Sequence, residues 1–418
     1  MTLPEGWRTE ELGTLCQFIN GLWKGDDPPF VHVGVIRNTN FTKDGALDDS
    51  DIAYLDVELK KFQKRRLQFG DLILEKSGGG PKQPVGRVIF FGKETGEFSF
   101  SNFTAAIRVI NPSELDGRYL HKFLHWVYLS GRTETMQSHS IGIRNLNGDA
   151  YKAIPVPLPP LPEQRRIVAI LDEAFEAIAT AKANTEKNLQ NAREVFESEL
   201  RTLFAQKGAD WSKKTLREVA VDFGRGKSKH RPRNDPRLYG GPYPFIQTGD
   251  VRNAGHHITE YTQTYSDVGL AQSKLWPRGT LCITIAANIA ETGVLDFDAC
   301  FPDSVIGVVV DERQTTSKYL EYMLQTVKAD LKAKGKGSAQ DNINMATFEN
   351  ERFPFPDLNE QIKIVRRLDS LIEDVDRLVL TYTAKLTALT ELKQSLLHQA
   401  FTGALTAKSA DRQLEAVA

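Results

Sequence analysis

The chain has 418 residues, of which 40% are hydrophobic and 26% are charged, and its formal net charge at pH 7 is −1. This length exceeds one ordinary core and predicts about two to four domains. The near-zero charge argues against a protein covered by nucleic acid over its whole surface, but it is compatible with local basic patches. No apolar run reaches the length of a membrane span and the N-terminus lacks a signal-peptide pattern, so the expected location is the cytoplasm.

The chain has three cysteines, which are widely separated in the sequence: Cys16, Cys282 and Cys300. None of them belongs to a CxxC motif or lies in a motif with histidine. A zinc site needs several cysteine or histidine ligands at short spacings, and a disulfide framework needs more cysteines than this chain has. We therefore expect buried thiols and no metal centre.

Residues 1–152 form the first predicted domain. A polar segment at 138–147 closes it. Short β-rich runs separated by turn residues, with few helices, favour an α+β fold. The β-rich runs and the one clearly helical run cover 30–36, 72–75, 85–91, 104–110 and 119–129.

A proline-rich segment from Ile154 to Gln164 opens the next region, 153–206. No glycine or proline follows it before Phe204. The prolines prevent a helix within the proline-rich segment, and no residue after it would break a helix. The stretch without glycine or proline therefore predicts one long helix. About 42 residues at 1.5 Å each give a length of roughly 60 Å.

Residues 207–352 repeat the plan of the first domain. Trp211 matches Trp7, and the run 279–283 matches 70–74. The loops between such anchors differ in length and in polar residues. Two similar tasks with different targets would produce this combination, and the second domain is again expected to be α+β.

The region 353–405 repeats the proline-rich segment and the long helix. Its run without glycine or proline reaches Phe401, and residues 406–418 are expected to form a frayed tail. The two runs share many identities at one constant offset. These include a glutamate and a glutamine at each helix start: Glu163, Gln164, Glu360 and Gln361.

Both helices carry apolar residues at the three- and four-residue spacing of a coiled-coil seam. Facing large and small side chains fill a seam without overpacking, so we infer that the helices pair within one chain. The alternative is two separate amphipathic helices, each covering its own domain. The second seam is leucine-rich: Ile364, Leu368, Leu371, Val375, Leu378, Tyr382, Leu386, Leu389, Leu392 and Leu396. The first is alanine-rich: Ile167, Leu171, Ala174, Ile178, Ala181, Thr185, Leu189, Ala192 and Val195.

The string Asp27-Pro28-Pro29-Phe30 has the form with which adenine methyltransferases hold a target amine and stack on a flipped base. Here it follows a loop, and the chain has no glycine-rich strand-to-helix turn for S-adenosylmethionine. We interpret it as a proline turn before a strand.

Other catalytic patterns are missing from the sequence, including Walker A, HExxH, GxSxG and clustered acidic nuclease motifs. The segment 77–82 resembles a phosphate-binding loop but lacks its Gly-Lys-Ser/Thr ending, so a flexible surface turn is expected. Adjacent His256 and His257 point apart on a strand, which favours exposed loop histidines over a metal site.

Basic residues concentrate in both domains. The loop 224–233 combines glycines with several cations and suits phosphate contacts, while Gln247 is available for a base edge. The first domain has a similar basic run at 60–66. Lysine runs are most often solvated faces, but this feature occurs in both matching domains.

The duplicated domains, the paired P-x-P…L-x-E-Q segments at 155–164 and 354–361 and the two long helices resemble the specificity subunit of type I DNA restriction-modification systems. The resemblance covers nearly the whole chain. It implies two α/β target recognition domains separated by two long antiparallel helices that form an intramolecular coiled coil, as a pseudo-twofold repeat. Each domain would read one half of an asymmetric, bipartite site in double-stranded DNA, and the helices would set the spacer.

The resemblance also implies that the chain has no catalytic activity or cofactor of its own. Two methyltransferase subunits, docked on the helices near their Glu-Gln starts, would methylate adenine with S-adenosylmethionine. Restriction subunits would use ATP and Mg for translocation and cleavage.

Candidate DNA contacts were chosen from the loops and not carried over from the family. Two other functions stay open: a modification enzyme with its own adenine methyltransferase site, supported only by 27–30, and a coiled-coil scaffold that binds protein instead of DNA. The candidate contacts are Lys24, Lys76, Lys82, Arg87, Arg144, Arg225, Lys227, Lys229, Arg231, Gln247 and Asn288.

Overall fold

The chain folds as two compact units. The first comprises Met1–Glu186 with Ala384–Ala418, and the second comprises Lys187–Thr383. Both boundaries fall inside the long helices, so each unit combines one α+β part, named here the first or second domain, with part of both helices. The computed structural model describes residues 3–23, 25–80, 83–140, 143–205, 210–286, 289–335 and 345–406.

The first domain is made of short strands and short helices. The predicted runs at 30–36 and 72–75 coincide with strands, and 119–129 lies within a helix. The strands are β1 (Arg8–Glu11), β2 (Cys16–Asn20), β3 (Phe30–Ile36), β4 (Ala53–Glu58), β5 (Leu72–Glu75), β6 (Ser77–Gly79), β7 (Val88–Phe90), β8 (Phe98–Phe100), β9 (Thr104–Val109), β10 (Gln137–Ser140), β11 (Ile143–Leu146) and β12 (Pro155–Leu158). The helices are α1 (Leu12–Leu15), α2 (Leu59–Gln63), α3 (Gly117–Leu129) and α4 (Gly148–Lys152).

The largest sheet of the first domain has the order β2-β9-β5-β7, with antiparallel neighbours. Smaller sheets have the orders β4-β3-β8 and β10-β11-β6. Leu72 and Ile107 of the large sheet share a core with Leu120 of α3 and with the long helices. The domain is therefore built onto the helices and not merely linked to them.

The second domain repeats this plan around a five-stranded sheet of order β14-β20-β18-β19-β16. Leu281 and Val308 of this sheet share a core with Leu320, which lies in the helix Ser317–Gly335 of the same domain. The strands are β13 (Ser212–Lys214), β14 (Ala220–Arg225), β15 (Tyr239–Phe245), β16 (His257–Ile258), β17 (Gln263–Tyr265), β18 (Leu281–Thr284), β19 (Thr292–Leu295), β20 (Val305–Val310) and β21 (Phe353–Phe355). The helices outside the coiled coil are α6 (Thr248–Asn253), α7 (Asp267–Ala271), α8 (Ser317–Gly335) and α9 (Met345–Asn350).

Each proline-rich segment forms a strand instead of an irregular connection. β12 pairs antiparallel with β1, and β21 pairs antiparallel with β13. A two-stranded ribbon tolerates proline because the edge that lacks an N–H can face away from the partner strand. The ribbon brings the beginning of each domain back to the start of its long helix.

The long helices are α5 (Leu161–Ala205) and α10 (Leu358–Thr402), each of 45 residues. Apart from Pro162 in the first turn of α5, where proline is tolerated, neither helix contains glycine or proline, which explains their length as predicted. Among the described residues, no helix has both the length and the apolar character that crossing a membrane requires.

The two helices contact each other in both units. In the first unit, Ile167 and Leu171 of α5 share a core with Leu397 and Phe401 of α10. In the second unit the partners are reversed, because the end of α5 shares a core with the start of α10. That core includes Leu200, Phe204, Ile364 and Leu368. The start of one helix lies beside the end of the other in each unit, which is the antiparallel arrangement that the resemblance implied.

The predicted seam is buried at the ends of α10 and only partly covered between them. Leu378 and Leu392 are 43% and 47% exposed, and Val195 of α5 is 52% exposed. From Leu371 to Leu396 no residue of α10 is fully buried. A pair of helices covers each apolar stripe from one side only, whereas the helix ends are covered by a domain as well.

Candidate nucleic-acid interface

The basic loop of the second domain follows β14. A side chain at Gly226 would place its Cβ 2.2 Å from the Phe301 carbonyl oxygen, so only glycine fits there. The Gly226 N–H donates to the Val305 carbonyl at 2.8 Å. The loop is thus fixed against the sheet while Lys227 and Lys229 remain exposed.

The arginines of this loop are partly used to brace it. Arg225 Nε donates to the Asp303 carbonyl at 2.6 Å, and Arg231 Nη1 donates to the Ser228 carbonyl at 2.7 Å. In the described part of the chain, Lys227 and Lys229 form no ion pair. The two lysines are therefore the cations best placed to neutralise phosphate.

A groove of about 590 Å³ lies next to this loop. Gln247, at the start of α6, donates from Nε2 to Gln263 Oε1 at 2.7 Å. Amide groups match the donor and acceptor pattern of adenine in the major groove of DNA. The groove is lined by Ser228, Arg233, Asn234, Tyr239, Phe245, Gln247, Gln263 and Pro302.

Gln263, Arg233 and Asn234 were not selected from the sequence. Gln263 reaches the groove because β15 and β17 pair antiparallel with Phe245 opposite Gln263. No local motif marks that register. Arg233 ends the basic loop, so the charge pattern alone could have included it, whereas Asn234 is uncharged and follows the loop.

In the first domain, Lys76 and Arg87 are held by neighbouring groups. Lys76 Nζ donates to Asn20 Oδ1 at 3.0 Å, and burial lowers its pKa. Arg87 forms an ion pair with Glu75 at 2.7 Å, with side chains 12% and 2% exposed. Arg87 also donates to the Phe41 carbonyl at 3.0 Å. These contacts favour a structural role for Arg87, and it is left out of the proposed interface.

Arg144 lies on a polar three-stranded sheet. β11 pairs with β10 and β6, and Arg144 Nη1 lies 3.5 Å from Gln137 Oε1. Ser77 Oγ lies 2.5 Å from Asn145 Oδ1 in the same sheet. The expected flexible turn at 77–82 therefore begins as strand β6. Its residues 81 and 82 lie outside the described part of the chain.

Lys24, Lys82 and Asn288 also lie outside the described residues, as does most of the predicted tail. The Asp27-Pro28-Pro29-Phe30 string is a turn that leads into β3, as expected, and the Pro29 carbonyl accepts from Leu59 N–H at 2.9 Å. The three cysteines are free and buried, as predicted. Within the described residues, no group of three or more histidine, cysteine or acidic side chains is arranged to hold a metal ion.

The expectation of two exposed loop histidines was wrong for His256. Its Nδ1 lies 2.7 Å from Glu321 Oε2, and its ring contacts Phe196 of α5 and Tyr322 of α8. Burial opposes the charged imidazole, but the Glu321 carboxylate outweighs burial and raises the pKa of His256. His257 starts β16 and lies 3.2 Å from Asp296.

The glutamines at the helix starts are internal and cannot contact a partner subunit, contrary to the prediction. Gln164 and Gln361 are both 0% exposed. The glutamates next to them do reach the surface, where Glu163 lies 3.9 Å from Arg166 and Glu360 lies 3.2 Å from Lys363. The Glu-Gln pair thus combines a surface residue with a buried one.

Residues 4–191 and 208–387 each match the model of one protein family, described as type I restriction modification DNA specificity domain. The chain belongs to this family. The two matches correspond to the two repeats, and each includes a domain and most of the long helix that follows it. The specificity subunit thus consists of a duplicated family domain.

Several specificity subunits of type I restriction enzymes are similar over most of their length. A putative MjaX subunit from Methanocaldococcus jannaschii is 22% identical over 89% of this chain and 88% of its own. The StySPI subunit from Salmonella potsdam and the EcoKI subunit from Escherichia coli are each 23% identical, over 97% of this chain and 90% of their own.

Solved structures share the fold. A chain from a study of complex assembly and conformational transition of the type I R-M system has a TM-score of 0.79 and 21% identity, covering 97% of this chain and 100% of its own. The HsdS subunit from Thermoanaerobacter tengcongensis has a TM-score of 0.64 and 20% identity, covering 97% and 99%. The specificity subunit therefore has the fold of these structures along nearly its whole length.

Proposed function

We propose that this specificity subunit recognises an asymmetric, bipartite DNA site, with each domain reading one half. The observation that carries the proposal is a repeated frame with different polar surfaces. Tyr119 Oη donates to the Pro157 carbonyl at 2.8 Å, and Tyr319 Oη donates to the Pro354 carbonyl at 2.7 Å. The same helix-to-ribbon bond therefore occurs in both units.

The surfaces on this frame differ in kind. The second domain presents the basic loop with Lys227 and Lys229 beside the amide-lined groove. The first domain presents the polar sheet that carries Arg144. Phosphate contacts position a protein on DNA, whereas base contacts specify the sequence. Different polar groups on one frame would thus give two half-sites of different sequence.

The long helices are proposed to set the spacer and to dock two methyltransferase subunits. Exposed apolar side chains on α10 support a role in docking, because covering apolar surface with a partner removes it from water. Leu380 is 71% exposed, and Leu378 and Leu392 lie on the same helix. Glu163 and Glu360, at the surface of the helix starts, remain candidate partner contacts.

Catalysis is assigned to the partner subunits. In this proposal the methyltransferase subunits use S-adenosylmethionine to methylate adenine, and restriction subunits use ATP and Mg for translocation and cleavage. The complex would act on DNA in the cytoplasm.

Mapping methylated adenines across the genome with and without this gene tests the proposal. We expect one bipartite motif to lose methylation when the gene is deleted. Unchanged methylation would contradict DNA recognition. In a gel mobility assay, a chain that binds the methyltransferase subunits but does not retard DNA would favour a protein-binding scaffold. Methyl transfer from labelled S-adenosylmethionine by the purified chain alone would contradict the assignment of catalysis to partners.

A further inference from the structure

Each domain shares an apolar core with both long helices, and three further contacts tie it to them. The first is the buried glutamine at the helix start. Gln164 Oε1 accepts from the Asp116 N–H at 2.9 Å, and its Nε2 donates to the Glu114 carbonyl at 2.8 Å. These bonds tie the loop before α3 to the first turn of α5. A second Nε2 bond, to the Pro159 carbonyl at 2.9 Å, satisfies the buried amide.

Gln361 makes the equivalent attachment in the second unit. Its Oε1 accepts from Thr315 Oγ1 at 2.8 Å, and its Nε2 donates to the Gln314 and Pro356 carbonyls, both at 3.0 Å. The loop before α8 is thereby tied to the first turn of α10. Both amides are buried with partners for oxygen and nitrogen, so neither side chain can rotate without leaving a polar group unpaired.

The second attachment lies eight residues further along the same helix. Asp172 of α5 pairs with Lys122 of α3 at 2.6 Å. Asp369 of α10 pairs with Lys318 at 2.7 Å and accepts from Tyr322 Oη at 2.6 Å. Eight residues at 1.5 Å each place this attachment about 12 Å from the glutamine.

The third attachment is on the other long helix. In the first unit, Lys393 of α10 pairs with Asp44 at 2.7 Å. The loop of Asp44 reaches this position because Gly45 has a φ of +78°, and a Cβ there would lie 2.8 Å from His125 Nδ1. In the second unit, Phe196 of α5 packs edge-on against His256, with ring centroids 5.6 Å apart.

The shared core holds each domain against the helices, but apolar packing is non-directional and permits small rotations of the domain. Directional contacts at two places along one helix and at one place on the neighbouring helix oppose rotation about every axis. The first two contacts recur in both units with the roles of α5 and α10 exchanged, whereas the third is an ion pair in the first unit and a ring contact in the second.

We propose that these attachments are positioning residues that determine which spacer length the subunit accepts. The inference rests on the proposed function, in which two half-sites are read at one separation. Neighbouring spacers differ by about 3.4 Å and by about 34° of rotation around the DNA. A domain fixed by all three contacts resists such a rotation, whereas a domain held by the core and fewer contacts can turn part of the way toward it.

The test removes attachments without touching the loops that face DNA. Lys393→Ala removes the third contact of the first unit, and Lys393→Ala with Lys122→Ala leaves the glutamine and the shared apolar core. Arg201→Ala is the matched control, because Arg201 pairs with Glu197 inside α5, 3.7 Å away, and joins no domain to a helix. Thermal unfolding of each variant confirms that it is folded.

Each variant is assembled with its methyltransferase subunits and offered DNA that carries the two half-sites at the parent spacer and at spacers one and two base pairs shorter or longer. A second DNA set varies single bases within the half-sites. We expect the double variant to raise methylation at neighbouring spacers, relative to the parent spacer, by about tenfold, which corresponds to about 1.4 kcal/mol. Base preferences should not change, and Arg201→Ala should match the parent.

An unchanged spacer ratio in the double variant would overturn the inference. Equal loss of methylation at every spacer would also overturn it, since that result shows only a weakened fold. If the double variant does not fold, Lys393→Ala alone is scored by the same criteria, because its removal leaves the two α5 attachments intact. If the complex of the unmutated subunit methylates none of the bipartite DNAs, that result would instead contradict the proposed function.

Discussion

Lengthening both long helices by one heptad is the sharpest test of their proposed role as a spacer. The insertions belong between Glu186 and Lys187 in α5 and between Thr383 and Ala384 in α10, where the two compact units meet along the chain. There they leave the core of each unit intact. A whole heptad also keeps the apolar seam in phase, because the seam repeats every 3.5 residues on average.

The expected shift follows from the rise of the helix. One heptad at 1.5 Å per residue adds about 10 Å, and DNA advances about 3.4 Å per base pair, so the preferred spacer should grow by about three base pairs. Three base pairs also turn the DNA by about 100°. A coiled coil with a pitch of about 150 Å turns by only about 25° over the added length. The new site should therefore be methylated less efficiently than the parent site.

The assay is methylation of a DNA library in which the spacer between fixed half-sites varies. The matched control exchanges the residues of one existing heptad in each helix for the inserted sequence without changing the helix length, and it should keep the parent spacer. An inserted variant that still prefers the parent spacer would refute the role of the helices as a ruler.

Four further outcomes follow from individual side chains. Lys227→Ala should weaken binding to all DNA sequences alike and lower the slope of log affinity against log salt concentration by about one, as measured by salt titration. Gln247→Ala should relax one position of one half-site by about 1 to 3 kcal/mol in a panel of single-base variants. Arg87→Ala leaves a buried carboxylate unpaired and should destabilise the first unit by about 3 to 5 kcal/mol in urea unfolding, without changing base preference. Folding raises the pKa of His256, so its pairing with Glu321 stabilises the fold fully below about pH 6.5, the ordinary pKa of histidine. This stabilisation is lost as the pH rises through the pKa of His256 in the folded state. His256→Gln should therefore flatten the dependence of unfolding free energy on pH.

The long helices and several strands could be predicted because their signals are local. Two proline-rich segments and the absence of glycine and proline downstream delimit α5 and α10 within a few residues. β3 and β5 are short apolar runs bounded by turn residues, and they were placed at their observed positions. Periodicity also identified the seam at the buried ends of the helices, but it did not show that the seam is only partly covered between them.

The errors arise where a side chain's partner is distant in sequence. Arg87 was predicted to face DNA because its charge suggested a surface, but the antiparallel pairing of β5 and β7 brings Glu75 alongside it. His256 was assigned to an exposed loop, yet its partner Glu321 lies on α8. Opposite charges can be paired only when the strand register and helix packing are known, and neither is written in the local sequence.

The buried glutamines show how one motif can combine two roles. A Glu-Gln pair in the first turn of a helix looks like surface, because polar residues there usually face solvent or cap the helix. In both units the glutamine instead turns inward and binds the carbonyls of a loop from the domain. Its recurrence at one offset is better explained by the attachment of a domain to its helix than by partner binding. The attachment repeats while the polar groups proposed to face DNA differ, so under the proposed function a subunit built this way would change the sequence it reads without changing its spacer.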